Sequence, residues 1–474
     1  MLKAGFYETD ITPAIGMERP ATYYKIYIKT IHDPLKVHAV VISNGEHILA
    51  FAGVDICYLG DGVTERVRKA LPEMKVMLSV SHTHYGGPMG GAQKEDFAEK
   101  VDPEIQRMIR EESVTADPRY TGHLVDQIVT AIRMAEQRMV EVEVSFGKST
   151  VEGVTFNRGF KMKNGHRATH PGKCNPDIVA PFAPIDTEVG TVGFWKKSDG
   201  SFLGCLVTFN CHGTCASGGP ANADWPGQTV RTIRAVMGEK SGVTYVYGCA
   251  GDITQVNNLS LSPTETGPVS AEKIGVSVGA EALKNLMRAE RGEINTLKVI
   301  SDKLLVKRRK PSQKTVENAI AILEKGEKTT TEYQFAKQHF IAAEVVAHEP
   351  EFYIDVDAIQ IGPLVIITLP GEVFCGVGLD VKKDSKFPFT WVSSLANRSI
   401  GYVPTADVLD PVTGGGYESR LTAGTCTAPE TADNMVRKSL ELIEKLTPDP
   451  IPVGPQIEPV TTVWSYGSNL PELE

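Results

Sequence analysis

The sequence has 474 residues, of which 41% are hydrophobic and 23% charged. This composition is that of an ordinary globular protein and allows either two or three domains or one large α/β domain with insertions. The net charge of -9 argues against a partner that is nucleic acid or an anionic membrane. No segment reaches the ~18 apolar residues of a transmembrane span and the N-terminus lacks the apolar segment of a secretory signal, so we expect a cytoplasmic protein.

The first part of the chain predicts a strand, helix, strand unit that ends in two histidines. Residues 32–59 contain two β-rich runs separated by Asn44-Gly45, a strong hairpin-turn dipeptide. Helical spacing follows in residues 60–71, and the short apolar run KVMLSV ends just before His82 and His84. Because residues i and i+2 of a strand face the same way, these two side chains should project together from one edge of the sheet.

Four later strand-like runs also end near a glycine and a side chain that could bind a metal or a proton. They lead to His212, Asp252, Glu372 and Tyr402. Open α/β sheets present their ligands at the ends of strands. The pattern therefore predicts an α/β fold with one functional site assembled from several strand ends.

Helical elements are predicted in three further places. Residues 120–139 have the spacing of a core-packing helix, and residues 430–446 form a last helix. Residues 311–346 predict an inserted helical hairpin broken at Gly326, and its many lysines and glutamates indicate a solvent-facing element. We therefore expect one large domain over residues 1–446, followed by a Pro-rich tail over 447–474 that is extended or disordered.

Two histidines and a carboxylate from different strands, with an open position for water, are the ligands of a catalytic zinc site. Each residue also has a plainer interpretation. His82 and His84 could be hydrogen-bonded histidines under a loop, His212 a core histidine, and Glu372 a helix cap. The residues alone leave these interpretations open.

The cysteines offer a rival chemistry. We expect the eight cysteines to be thiols, and four of them, Cys211, Cys215, Cys249 and Cys375, lie near the predicted site. A thiolate metal site or a Cys-His nucleophile is therefore conceivable. Since Cys211 and Cys215 form a CxxxC without a second close pair, we favour buried small hydrophobic side chains.

A set of short motifs resembles the neutral ceramidase family and its bacterial relatives. In chain order these motifs are ETDITP, SHTHYGGP, GVTFNRG, FNCHGT, ADWPG, GCAGDITQVN, LPGE, GYVPT and GGGYESRLTAG. Together they cover the chain from about residue 5 to about residue 445. The resemblance implies a large mixed-sheet α/β catalytic domain of the neutral ceramidase type, here with the inserted hairpin.

The resemblance also implies a site. A single Zn²⁺ would be held by His82, His212, Glu372 and Tyr402. The catalytic candidates are His84, Arg158 and Tyr417, which match positions that bind and polarise the scissile carbonyl, and Thr254, which replaces the serine of the family's GDVSPN motif. Asp224 and Asp252 could either orient the zinc histidines or cap loops.

The sequence departs from the family in ways that bear on the substrate. Gly213 stands where the family has the proline of its HPT motif, and Gln255 and Val256 replace the last two residues of GDVSPN. The family's long members carry a C-terminal β-sandwich domain, and we expect no counterpart of it here because the sequence ends about 30 residues after its last predicted helix. Membrane sphingolipid is therefore not the substrate we expect.

We predict a zinc-dependent hydrolase of an amide (N-acyl) or ester bond in a small or amphiphilic, lipid-like substrate. Zinc lowers the pKa of its water to ~7 and polarises a carbonyl, which suits this chemistry. Three alternatives stay open: a hydrolase of ceramide or another N-acyl lipid, which would need a deep apolar pocket; a hydrolase of a sugar-derived ester or lactone on the same scaffold; and a non-catalytic metal-binding protein of this fold. The sequence also leaves open whether the chain forms a homo-oligomer.

Overall fold

The computed structural model of the protein describes residues 1–60, 62–90, 102–216, 218–263, 266–468 and 470–472. Its α/β class is the predicted one. The helices are α1 Val63–Ala70, α2 Pro103–Glu112, α3 Pro118–Gln137, α4 Asp224–Met237, α5 Pro268–Arg288, α6 Gln313–Glu324, α7 Thr331–His348, α8 Cys375–Asp384 and α9 Thr431–Glu444. The strands are β1 Lys3–Asp10, β2 Thr30–Ile31, β3 Lys36–Ser43, β4 Ile48–Val54, β5 Lys75–Val80, β6 Val140–Thr150, β7 Phe156–Asn157, β8 Gly159–Met162, β9 Arg167–Thr169, β10 Ile178–Pro181, β11 Glu188–Lys196, β12 Phe202–Phe209, β13 Pro220–Ala221, β14 Gly242–Tyr247, β15 Ile253–Thr254, β16 Arg291–Gly292, β17 Leu297–Lys307, β18 Glu351–Ile361, β19 Leu364–Thr368, β20 Glu372–Val373, β21 Phe389–Ser393 and β22 Tyr402–Val403.

The larger sheet has the strand order β14-β12-β11-β6-β1-β3-β4-β5, with β16 beside β6. Its pairings are antiparallel except for the two edge pairs, β12 with β14 and β4 with β5. The predicted hairpin at Asn44-Gly45 joins β3 to β4, and β4, α1 and β5 form the predicted strand, helix, strand unit.

The two edges of this sheet approach each other. The backbone N–H of Tyr247 in β14 donates to the Ser79 hydroxyl in β5 over 2.9 Å. Gly53 in β4 lies so close to β14 that a Cβ atom there would come within 2.8 Å of the Tyr245 carbonyl oxygen. The carboxyl ends of β5 and β14, which precede His82 and Asp252, are therefore neighbours.

The smaller sheet has the order β17-β18-β19-β21. It packs on the larger sheet through a shared core that includes Met77, Val246, Ile366 and Trp391. The Asn397 backbone N–H donates to the Leu78 carbonyl and its side chain accepts from the Leu78 N–H, each over 2.9 Å. These contacts bring the segment after β21 to the end of β5.

The predicted core helix is α3, whose Leu124, Ile128, Ala131 and Ile132 are all fully buried. Its start follows from local chemistry. Asp117 accepts a hydrogen bond from the Arg119 backbone N–H, and a proline opens the first turn. Both features are typical of a helix N-terminus because they match its unpaired N–H groups.

The inserted hairpin is present as α6 and α7, with Gly326 in the turn at a φ of +74°. The expectation of a solvent-facing element is wrong for α7. Its Lys337 and Gln338 are fully buried, and its Ile341 and Val345 pack against Ile109 of α2. Composition could not reveal this, because the lysine that looked solvated uses its ammonium group to bind buried carbonyls.

The tail beyond α9 lies on the surface at its start. The Gly454 N–H donates to the Glu290 carboxylate over 2.8 Å. Between 447 and 472 the described residues contain no helix or strand. None of the helices in the described ranges is both long and apolar enough to cross a membrane.

Candidate metal centre and active site

Two loops lie side by side at the candidate site because of one glycine. Thr83 forms a parallel bridge with Gly213, and the His84 N–H donates to the Gly213 carbonyl over 3.0 Å. A Cβ atom on residue 213 would come within 2.5 Å of the His82 carbonyl oxygen. His82 itself has a φ of +55°, a strained conformation for a residue other than glycine. Gly213, which replaces the proline of the HPT motif, thus allows the two loops to approach more closely than a residue with a side chain would permit.

Backbone carbonyls orient the two buried histidine rings. His82 Nδ1 lies 2.7 Å from the Cys57 carbonyl oxygen, and His212 Nδ1 lies 2.7 Å from that of Ala250. Since a carbonyl can only accept, each Nδ1 carries the hydrogen and each Nε2 is left to face the pocket. Metal-binding histidines are commonly held in this way.

The candidate ligand atoms converge on one point. Glu372 Oε2 lies 3.3 Å from His212 Nε2 and 3.5 Å from His82 Nε2. The Tyr402 hydroxyl lies 3.3 Å from His212 Nε2, and Glu372 and Tyr402 are directly paired between β20 and β22. Two atoms bound at ~2.0–2.1 Å to a tetrahedral zinc lie about 3.3–3.4 Å apart. The donor set and its spacing therefore fit a zinc ion.

The charges of these groups also suit a cation. Glu372 Oε2 is buried and has no hydrogen-bond partner among the described residues. Burial and Arg158 lower the pKa of His212 to about 4, so this ring is neutral at pH 7. Burial opposes protonation of His82, but Cys57 and Glu372 raise its pKa to about 10. A metal ion would replace that proton, so metal binding should weaken as the pH falls.

A second group of potential ligands, Cys57, His82 and His84, lies beside the first. The Cys57 thiol contacts the Nδ1 side of His82 at 3.7 Å, the nitrogen that already serves the Cys57 carbonyl. This group therefore fits a metal less well than His82, His212 and Glu372.

The two aspartates cap loops. Asp224 accepts backbone N–H groups of Cys215 and Ala216 at 2.9 and 3.1 Å. Asp252 accepts the Cys375 N–H at 2.8 Å and the Asn157 side-chain amide at 2.7 Å. The described hydrogen bonds of Asp224 and Asp252 thus stabilise the loops that carry the histidines and Glu372. Backbone carbonyls, and not these aspartates, orient the histidine rings.

Two of the catalytic candidates line the pocket over the candidate ligands. His84 Nε2 lies 3.4 Å from His82 Nε2, and burial next to His82 and His212 lowers the pKa of His84 well below its usual value. The hydroxyl of Tyr417 lies 2.8 Å from that of Tyr23, which lines the same pocket. Both side chains can therefore contact a substrate.

Arg158 and Thr254 are placed differently from these two. Arg158 Nε donates to Glu418 over 2.6 Å, and its Nη2 donates to the Gly251 carbonyl over 2.6 Å and to the Tyr402 hydroxyl over 3.0 Å. Arg158 thus holds the candidate ligand Tyr402. The Thr254 hydroxyl, at the end of β15, donates to the side chain of the neighbouring Gln255 over 3.3 Å, and the described pocket wall does not include Thr254.

Three residues of this region escaped the sequence analysis. Glu418 follows Tyr417 in the GGYES segment, so its position in a suspected motif was the available signal. Tyr23 and Gln338 lie in segments that no motif covers, yet both line the pocket. Tertiary contacts bring them to the site.

The cysteine chemistry that rivalled the zinc site finds little support. Cys211 and Cys249 are buried, and burial raises the pKa of both thiols. A thiol kept protonated and shielded is a poor nucleophile. Cys174 is exposed, and the other seven cysteines are buried.

We expect a thiol reagent such as DTNB to titrate about one cysteine in the native protein and all eight after unfolding. The Cys174→Ser variant should then show almost no rapid reaction. Rapid modification of a second thiol that abolishes hydrolysis would revive the nucleophilic cysteine.

Comparisons with known proteins identify the fold. Neither a protein-family model nor a curated protein sequence matches this chain. A crystal structure of the neutral ceramidase from Pseudomonas aeruginosa matches with a TM-score of 0.67 at 18% identity, over 96% of this chain and 76% of that one. The chain has the neutral ceramidase fold. A ceramidase complexed with C2 matches this fold as well, with a TM-score of 0.69 at 16% identity, over 96% of this chain and 77% of that one.

Proposed function

We propose that this protein is a zinc-dependent hydrolase of an amide or ester bond in a small or amphiphilic substrate. The observation that carries the proposal is the convergence of His82, His212, Glu372 and Tyr402 beside a pocket that three of them line, with ligand atoms spaced as around a tetrahedral ion. The ceramidases that share the fold are named for the cleavage of an amide, which supports the reaction class.

Each residue would have a distinct role in binding or catalysis. His82, His212, Glu372 and Tyr402 would hold the zinc. When bound, zinc supplies a Lewis acid for the carbonyl and lowers the pKa of water to ~7. His84 faces the pocket beside the ligands and is neutral at pH 7, so it can accept a proton and then pass it to the leaving group. The Tyr417 hydroxyl can donate to the oxygen that becomes negative, and Arg158 keeps the Tyr402 hydroxyl in place.

Elemental analysis of the purified protein tests this proposal. We expect about one zinc per chain in the parent and a near-complete loss in His82→Ala and Glu372→Ala, because each substitution removes a ligand from a site of four. His123 is exposed on α3, so His123→Ala is a matched control that should keep the metal.

Activity provides the second part of the test. The parent and His123→Ala should hydrolyse acetate esters and acetamides. This activity should be lost on treatment with a chelator and should return when zinc is added back. Zinc that stays in both ligand variants, or hydrolysis that survives full removal of the metal, would contradict the proposal.

A further inference from the structure

A buried amide without a partner lies in the wall of the candidate active-site pocket. Gln338 on α7 is fully buried, and neither its Nε2 nor its Oε1 has a hydrogen-bond partner among the described residues. Gln338 also lines the pocket that contains His82, His84 and Glu372. A buried polar group without a partner is destabilising, so its presence needs a functional reason.

The position of this amide is well defined by its neighbours on α7. The adjacent Lys337 donates to the backbone carbonyls of Tyr23 and Glu112 over 2.8 and 2.9 Å. One turn earlier, the ring of Phe335 packs on that of Tyr23 with centroids 5.2 Å apart. The inserted hairpin is therefore anchored to the segment that carries Tyr23, and it forms part of the pocket wall.

The rest of this wall is rich in uncharged groups that form hydrogen bonds. Hydroxyl groups come from Thr22, Ser399, Thr422 and Thr425 and from the paired Tyr23 and Tyr417. In the part of the chain that the structure describes, the wall of this pocket includes no leucine, isoleucine, methionine or phenylalanine, and no lysine or arginine. An adjoining pocket, which shares Tyr23 and Tyr417, is lined by Phe335, Arg158, Arg167 and Arg420.

Within the pocket itself, this lining offers few contacts to two classes of ligand. A long acyl chain gains its binding energy from apolar side chains, of which the described wall offers only Ala21 and Val114 as aliphatic examples. An anionic group normally binds to arginine or lysine, which the described wall of this pocket does not offer. A neutral group that both donates and accepts hydrogen bonds satisfies the amide and the hydroxyls together.

We infer that Gln338 is a specificity-determining residue that hydrogen-bonds an uncharged, hydroxyl-bearing part of the substrate. The substrate class is then a small N-acyl or O-acyl compound of a polyol or amino polyol. The identity of the cleaved bond rests on the proposed function, whereas the preference for a hydroxylated ligand rests on the pocket wall alone.

The test compares the binding of two probes to the zinc-loaded protein by calorimetry, over a time in which chromatography shows that neither probe is cleaved. N-acetylglucamine is the acetamide of an amino polyol, and N-hexylacetamide has the same carbon skeleton without the hydroxyls. The parent should bind N-acetylglucamine at least about tenfold more tightly, because a site built for hydroxyls discriminates strongly against analogues that lack them. Gln338→Met should lose about tenfold in affinity for N-acetylglucamine and change little for N-hexylacetamide.

Gln334 provides the matched control on the same helix. It is buried one turn earlier, donates to the Lys328 carbonyl over 2.6 Å and is absent from the described pocket wall. Gln334→Met should therefore keep the preference of the parent. Because Gln338→Met removes an unpartnered buried amide, its melting temperature should equal or exceed that of the parent, which shows that the variant folds.

The possible results separate the inference from the proposed function. Equal binding of the two probes by the parent, or a preference that survives in folded Gln338→Met, overturns the inference even if hydrolysis occurs. Hydrolysis restricted to N-hexadecanoyl amides also overturns it and leaves the zinc hydrolase standing. A Gln338-dependent preference in a protein that hydrolyses nothing supports the inference and contradicts the proposed function.

Discussion

The Glu418→Gln variant is expected to lose about 3 to 5 kcal/mol of unfolding free energy, because it breaks a buried ion network. The Glu418 carboxylate is fully buried and accepts hydrogen bonds from Arg158 at 2.6 Å, Arg167 at 2.8 Å and Thr169 at 2.6 Å. Removing its charge leaves two buried guanidinium groups without their shared anion. Urea denaturation at pH 7 measures the loss.

The matched control is Glu104→Gln, since Glu104 forms an exposed ion pair with Arg107. Substitutions of this kind usually change the unfolding free energy by less than about 0.5 kcal/mol. A loss in Glu418→Gln as small as that of the control would show that the two arginines are stable without the carboxylate.

The same network predicts a dependence on pH. Burial raises the pKa of Glu418, but Arg158 and Arg167 outweigh it and lower the pKa to about 2, against 4.5 for an ordinary glutamate. The folded state thus holds the proton less tightly than the unfolded state. The contribution of Glu418 to stability is complete above pH 4.5 and is lost as the pH falls from there towards 2. The parent should lose its advantage over Glu418→Gln across this interval.

The His84→Ala variant is expected to keep its zinc while its kcat falls by about 10²- to 10⁴-fold, the usual effect of removing a general acid or base. His84 faces the pocket, and the four proposed ligands are other residues. Metal analysis and hydrolysis of the best acetate ester, measured on the same preparation, separate the two roles. His123→Ala serves again as the histidine control.

Loss of zinc together with activity in His84→Ala would assign His84 to the metal site. It would then favour the neighbouring group of Cys57, His82 and His84 over the group that contains His212 and Glu372. Retention of both zinc and full activity would instead leave His84 without a role in catalysis.

Local patterns sufficed to predict several elements of the fold, including the strand that precedes the candidate ligand His82. The Asn44-Gly45 hairpin, β5 before His82 and the helical hairpin around Gly326 are all present at the predicted places. Each depends on chemistry within a few residues: a turn that needs a positive φ, an apolar run, or helical spacing. The convergence of His82, His212, Glu372 and Tyr402 followed from the family motifs and agrees with the distances in the structure.

Contacts between distant segments were harder to predict. Glu418 lies 260 residues from Arg158, and nothing near either residue indicates the other. The burial of α7 was predicted incorrectly, because a lysine in a sequence is normally taken as solvent-exposed. In the structure, the Lys337 ammonium group donates to two backbone carbonyls. The roles of Asp224 and Asp252 were equally undecided until their partners, backbone N–H groups of nearby and distant loops, were known.

The sequence by itself therefore determined the α/β class and indicated the strand ends that carry the candidate ligands, because these depend on short-range periodicity and on motifs. The tertiary structure decided which side chains reach the pocket. It placed Gln338 and Tyr23 in the wall of the pocket. It also hydrogen-bonded Arg158 to Tyr402 and Glu418, and left the Thr254 hydroxyl bonded to the neighbouring Gln255. These outcomes depend on how the two main sheets and the helical hairpin pack together. Packing brings into contact residues that are far apart along the chain, and local sequence patterns do not reveal such contacts.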